Sequence, residues 1–109
     1  MITSKIREEL AIILNNRFLN KNISEDLLIK SIISFISEKF SNKDISIILD
    51  DFQEEIINIA KKDFLTIKNI SGRKNSFLFK LDEKGIDRFT KQFIILFEAI
   101  IGDSNIIEI

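Results

Sequence analysis

Between Phe64 and Gly85 the sequence FLTIKNISGRKNSFLFKLDEKG departs from helical spacing. Two runs of β-type composition, residues 64–70 and 76–81, flank the polar stretch 71–75, which holds one of the chain's three glycines. That is the pattern of a β-hairpin. In the first run Leu65 and Ile67 alternate with Thr66 and Lys68; in the second, Phe77, Phe79 and Leu81 alternate with Leu78 and Lys80. Alternation gives each strand an apolar face to bury, and it predicts that Lys68 and Lys80 share the opposite face. Residues 64–81 carry Lys68, Arg73, Lys74 and Lys80 and no acid, in a chain whose formal net charge is −1. Positive charge is therefore concentrated on the hairpin.

The 109 residues amount to one domain, enough to bury about two thirds of the unfolded surface. With 45% hydrophobic and 30% charged residues, the composition is that of a folded chain and not a disordered one. No apolar run reaches the ~18–20 residues of a membrane span. The start, MITSKIREEL, enters an amphipathic pattern without the apolar core of a signal peptide. A cytoplasmic protein without membrane contact is expected. The chain has no His and no Cys, which removes the commonest general base, the thiol nucleophile and the soft metal ligands. We expect no enzymatic activity, no cofactor and no metal.

Helical periodicity accounts for most of the rest. Over residues 2–19, Ile6, Leu10, Ile13, Leu14 and Phe18 fall on one face, predicting an amphipathic helix. Asn20, Lys21 and Asn22 break it. Ser24 then reads as an N-cap followed by Glu25 and Asp26 in the first turn, opening a helix over 25–40. Its apolar residues cover more than one stripe and predict burial on two sides. A short helix is expected over 43–49, interrupted at Asp50 and Asp51, which stand three residues before Gln53 and Glu54 like a capping box. The next helix is expected over 52–63. After the hairpin, Asp82 caps a last helix over 83–101, with Phe89, Phe93, Leu96, Phe97 and Ile100 inward and Gly102 ending it. The fold class expected is mainly α with a small β-hairpin, an α+β arrangement.

The order helix, short helix, tight break, helix, hairpin, helix over residues 25–101 resembles the winged helix-turn-helix family of DNA-binding domains. The resemblance is carried by NKDISIILDDFQEEIINIAKKDFLTIKNISGRKNSFLFKLDEKGID and ends in Leu81-Asp82-Glu83-Lys84-Gly85, similar to the turn that closes the family's last strand. It implies a winged helix-turn-helix with extra N-terminal and C-terminal helices, binding double-stranded DNA as a homodimer. Small plasmid- and phage-encoded members of the family act in transcription regulation, partition and conjugation, within nucleoprotein complexes that include other proteins. One feature departs from the family pattern. Residues 43–63 hold six acids against three bases, and Asp50, Asp51, Glu54 and Glu55 stand where members commonly place Arg, Lys, Ser, Thr or Asn.

The candidate DNA contacts on the wing are Lys68, Asn69, Arg73, Lys74, Asn75 and Lys80. Cations on a projecting hairpin neutralise phosphates, and an Arg at its tip suits the narrow, strongly negative minor groove of AT-rich DNA. The plain alternative is a solvated hairpin whose lysines prevent edge-to-edge aggregation. On the presumed recognition helix, Gln53, Asn58, Lys61 and Lys62 are the candidates for major-groove contact, against an ordinary solvated face. The acidic cluster reads as helix capping, as a docking site for a basic partner, or as a hard-cation site. An apolar second face on the last helix, together with the Ile-rich end, predicts a dimer interface of Ile94, Phe97, Ile101, Ile106 and Ile107. A second functional class is a protein-interaction adaptor that uses the acidic helix or the apolar C-terminal surface.

Overall fold

The computed structural model describes residues 2–40, 45–71 and 74–104, and the side chains of these except 2, 3, 45, 46, 69–71, 74–76 and 101–104. Helix α1 spans Ile2–Phe18, strand β1 Asn22–Ser24, and α2 Glu25–Lys39. Helix α3 spans Ile45–Asp51 and α4 Gln53–Asp63, followed by β2 Leu65–Ser71, β3 Lys74–Lys80 and α5 Glu83–Ser104. The chain is mainly helical with a three-stranded antiparallel sheet in the order β1-β3-β2.

The helices follow from their apolar spacing. On α1, Ile6, Leu10, Leu14 and Phe18 are buried, as the period requires. The helix ends where Asn20 takes φ 61°, a left-handed conformation that Asn tolerates better than most residues. There Asn20 N–H donates to the Leu81 carbonyl at 2.7 Å and Leu81 N–H donates to that of Lys21 at 3.2 Å, tying the end of α1 to the end of the hairpin. Ser24 caps α2 as expected, its hydroxyl oxygen accepting from Leu27 N–H at 3.2 Å. Buried Leu28, Ile29, Ile32, Phe35 and Ile36 fall on one broad face of α2, while Leu27, Lys30, Ser34 and Glu38 on the opposite face are exposed, so this helix packs on the core from one side and not from the two expected.

The acids that end α3 do not cap α4. Asp50 and Asp51 are still helical, the break is the single residue Phe52, and Phe52 offers no side-chain cap. Asp50 instead accepts a hydrogen bond from the Gln53 side-chain amide. A one-residue break is shorter than the three- to four-residue turn common in helix-turn-helix motifs. At the other end, α5 continues through Gly102 to Ser104. Asp82 caps this helix, its Oδ1 accepting from Gly85 N–H at 3.0 Å.

The hairpin forms, with two differences from the sequence reading. It gains β1 as a third strand on the far side of β3. Its strands also pair out to Ser71↔Lys74, so only residues 72 and 73 lie between them, instead of 71–75. The partners are Leu65↔Lys80, Thr66↔Phe79, Ile67↔Leu78 and Lys68↔Phe77. Directly opposed residues share a face, so Lys68 lies on the face of Phe77 and Phe79, and Lys80 on the face of Leu65 and Leu78. The shared cationic face expected for Lys68 and Lys80 does not exist.

Seven phenylalanines join the hairpin to the helices. Phe77 packs on Phe79 with ring centroids 5.3 Å apart, Phe79 on Phe64 at 6.2 Å, and Phe64 on Phe89 at 5.2 Å. The run continues along α5 through Phe93 at 6.1 Å and Phe97 at 5.9 Å, and ends on Phe40 at 5.3 Å. Spacing by four residues along α5 is what stacks these rings on one stripe. Phe97 is fully buried in this run and Ile94 is also buried, which corrects their assignment to a dimer interface: neither offers surface to a second copy. Among the described residues, the large apolar side chain that α5 turns outward is Ile95, 61% exposed. The side chain of Ile101, and Ile106 and Ile107 altogether, lie outside the described residues.

Candidate nucleic-acid interface

Helix α4 carries its charges unevenly, with Glu54 and Glu55 in its first turn and Lys61 and Lys62 in its last. This polarity suits the helix dipole at both ends, and it also points the lysines at the sheet, because α4 runs through Phe64 directly into β2. Lys61 Nζ lies 5.2 Å from the centre of the Phe77 ring, a cation–π distance. Lys68 is the cross-strand partner of that same Phe77. The helix end therefore sets Lys61 over this ring, and the hairpin register sets exposed Lys68 across the strands from it.

A second group forms where α4, β2, β3 and α5 meet. Lys62, Lys80 and Arg88 line a cleft of about 500 Å³ with Asn20, Asp63, Phe64, Leu65 and Asp82. Arg88 Nη2 donates to the Asp63 carbonyl at 3.2 Å, and Arg88 Nε lies 3.8 Å from Asp63 Oδ1. Burial pushes the Asp63 carboxyl above the usual carboxylate range, with Arg88 and Lys62 pulling it back in part. Its Oδ2 is buried without a hydrogen-bond partner among the described residues. A carboxyl whose folded pKa is raised supports the fold most when protonated, and that support is lost as pH rises through the folded value. Between ~pH 3 and ~pH 7, wild type should therefore lose stability relative to Asp63→Asn, as read by urea denaturation at both pH values. A difference that moves the other way would mean that the Arg88 contact outweighs burial.

Three cations on the helical side are engaged by carboxylates, whereas Lys5, Arg17, Lys21, Lys30 and Lys84 are exposed and make no salt bridge with a described carboxylate. Lys39 Nζ lies 2.5 Å from Glu9 Oε2, Arg7 Nη1 3.5 Å from Asp87 Oδ1 and Lys91 Nζ 3.0 Å from Asp87 Oδ2. Hydrogen bonding to Lys39 lowers the Glu9 pKa, and hydrogen bonding to Lys91, supported by Arg7, lowers that of Asp87. Around the hairpin, Lys61, Lys62, Lys68 and Lys80 are likewise all exposed, and none makes a salt bridge with a described carboxylate.

The sequence candidates therefore divide. Lys61, Lys62, Lys68 and Lys80 come together around the hairpin in two groups. Gln53 does not join them: it is bonded to Asp50, and eight residues of helix separate it from Lys61, about 12 Å. Asn58 is exposed between the two ends. Arg73 lies outside the described residues, as do the side chains of Asn69, Lys74 and Asn75. Arg88, Asn20 and the Phe77 platform were not singled out by sequence, since Arg88 stands 25 residues from the Asp63 it contacts. Among the described residues, no group of three or more acids could hold a metal ion, and no helix is long and apolar enough to cross a membrane.

Fold and site together define a mainly α chain with a small antiparallel sheet and a lysine-rich margin where helix meets hairpin. Comparison with protein-family models, curated proteins and solved structures returned no match.

Proposed function

We propose that this chain is a non-enzymatic double-stranded DNA-binding protein of winged helix-turn-helix type, gripping the duplex with the end of α4 and the base of the hairpin. The observation that carries the reading is the set of four exposed lysines, from α4, β2 and β3, without a described carboxylate partner. Unpaired ammonium groups in two sets, one on each face of the hairpin, neutralise phosphates and release counterions. The acids at the start of α4, Glu54 and Glu55, stand about two turns, roughly 10 Å, from Lys61, so the contact uses the C-terminal part of α4 in place of its first turn. The run α3, α4, β2, β3, with β1 on the far side of β3, supports the winged-helix assignment. Such a protein would regulate transcription or serve as an accessory factor in a nucleoprotein complex for transfer or partition. A homodimer remains part of the proposal, with its surface supplied by residues other than Ile94 and Phe97.

The second reading, a protein-interaction adaptor, is favoured by the outer face of the sheet, where Leu65 is 64% exposed beside half-buried Ile67 and Leu78. Fluorescence-anisotropy titration on AT-rich and mixed duplexes at two salt concentrations separates the two. Binding at ~1–100 µM or tighter near physiological salt supports the DNA reading. No binding below ~10 µM at low salt would leave the adaptor.

A further inference from the structure

The cleft at the foot of the hairpin contains more than the two lysines the sequence singled out. Its cations come from three places, α4 (Lys62), the end of β3 (Lys80) and the first turns of α5 (Arg88), so the fold, not a local motif, assembles them. Two carboxylates also line it, and both are engaged. Asp82 Oδ1 accepts the capping bond from Gly85 N–H, and Asp63 Oδ1 faces Arg88. Lys62 and Lys80 make no salt bridge with a described carboxylate, which leaves one positive charge in excess, three cations against two acids.

The donor types are specific as well. A guanidinium has five N–H donors; the contact to the Asp63 carbonyl occupies part of that set and holds the group in place. Lysine ammonium groups on flexible stems act as adjustable point charges for phosphate. Asn20 lines the cleft from a left-handed turn fixed by its bond to Leu81, and its side-chain amide adds a neutral donor. Donor-bearing residues from several elements line a cleft of about 500 Å³, room for a tetrahedral anion with its attached sugar.

We infer that this cleft seats a phosphate group, supplied by the nucleic-acid backbone, with Lys62, Lys80 and Arg88 as its charged contacts and Asn20 as a neutral one. The assignment of the backbone as the source rests on the duplex-binding reading. It adds Arg88 and Asn20 to the interface and places a fixed anchoring point at the foot of the hairpin, away from its tip.

Duplex titrations of wild type, Lys80→Gln, Arg88→Gln and Lys30→Gln test the inference. Lys30 is an exposed residue of α2 outside the cleft. Each cleft variant should bind about 5- to 10-fold more weakly at ~0.1 M salt and lower the salt slope by about one, with Lys30→Gln unchanged. Arg88→Lys, which keeps the charge, should recover much of the loss, and this distinguishes phosphate contact from damage to the fold. Cleft variants that bind like wild type would overturn the inference.

A titration of the wild-type chain with inorganic phosphate, followed by backbone amide shifts, separates the two sources. If wild type binds no duplex, the DNA reading fails. Saturable shifts at Asn20, Leu65 and Leu81, absent with sodium chloride of equal ionic strength and absent in Lys80→Gln, would then uphold the cleft as a seat for free phosphate. No duplex binding and no such shifts would overturn both.

Discussion

Changing Lys61, Lys62, Lys68 and Lys80 together to alanine should weaken duplex binding by about three and a half orders of magnitude at ~0.1 M salt. The magnitude follows from counterion release. Each phosphate contact is worth roughly 0.9 of a decade in affinity for every decade of salt below ~1 M, so four contacts amount to about 3.6 decades. The fold should survive the change, because all four side chains are exposed and none is paired with a described carboxylate. The only described packing lost is the Lys61 contact over Phe77, worth about 0.5–1 kcal/mol at an exposed site. Circular dichroism and thermal melting would confirm this before anisotropy is read. A quadruple variant that is folded and keeps its affinity within about threefold would show that the contact lies elsewhere.

Gly85→Ala should cost about 2–4 kcal/mol of stability, from overpacking together with loss of a helix cap. Gly85 sits in the first turn of α5, where that helix crosses the joint between α4 and β2. A Cβ there would lie 2.7 Å from the Asp63 carbonyl oxygen and 2.8 Å from Phe64 Cδ1, and would run into the Asp82 carboxyl oxygen that caps the helix. Two of these three obstacles are backbone or ring atoms held by the core, since Phe64 is 4% exposed and packs on Phe79 and Phe89. Asp82→Ala isolates the cap and should cost about 1 kcal/mol. Urea denaturation of both variants gives the comparison. If Gly85→Ala cost no more than Asp82→Ala, the close approach of α5 to the α4–β2 joint would be refuted. The prediction bears on function too, because Asp63, Asp82 and Arg88 line the cleft at this same joint.

What the sequence made legible was local. The buried stripe of α1, the Ser24 cap and the Phe89, Phe93, Phe97 stripe all depend on spacings within a few turns. The hairpin was legible for the same reason. Its faces were not, and the cause is a single residue of register. A loop over 71–75 pairs Ile67 with Phe79 and puts Lys68 and Lys80 on one side; a two-residue loop pairs Ile67 with Leu78 and divides them. Because side chains alternate with period two, a shift of one residue exchanges the faces.

Strand β1 has three residues with only Ile23 buried, too few to display a period. Gly102 was misread because a good terminator by type is not obliged to terminate, and α5 passes through it. The capping-box pattern at Asp50 and Asp51 matched in spacing, yet the chain breaks at Phe52. Ile94 reads as outward-facing if α5 has one buried stripe; burial on α5 is broader than that, and among its described large apolar residues only Ile95 is strongly exposed. In the candidate site the lysines were visible one by one. The cleft was not, because it is built from residues 20, 62–65, 80, 82 and 88, which only the tertiary fold gathers.

The most direct test of the central claim, that lysines at the junction of α4 and the hairpin hold duplex DNA by its phosphates, is the salt dependence of wild-type affinity. Anisotropy titrations from ~50 to ~300 mM salt should give a linear plot of log affinity against log salt with a slope of about −3.5 to −5.5, as four to six phosphate contacts require. A slope near zero, or no binding to any duplex at the lowest salt, would contradict it.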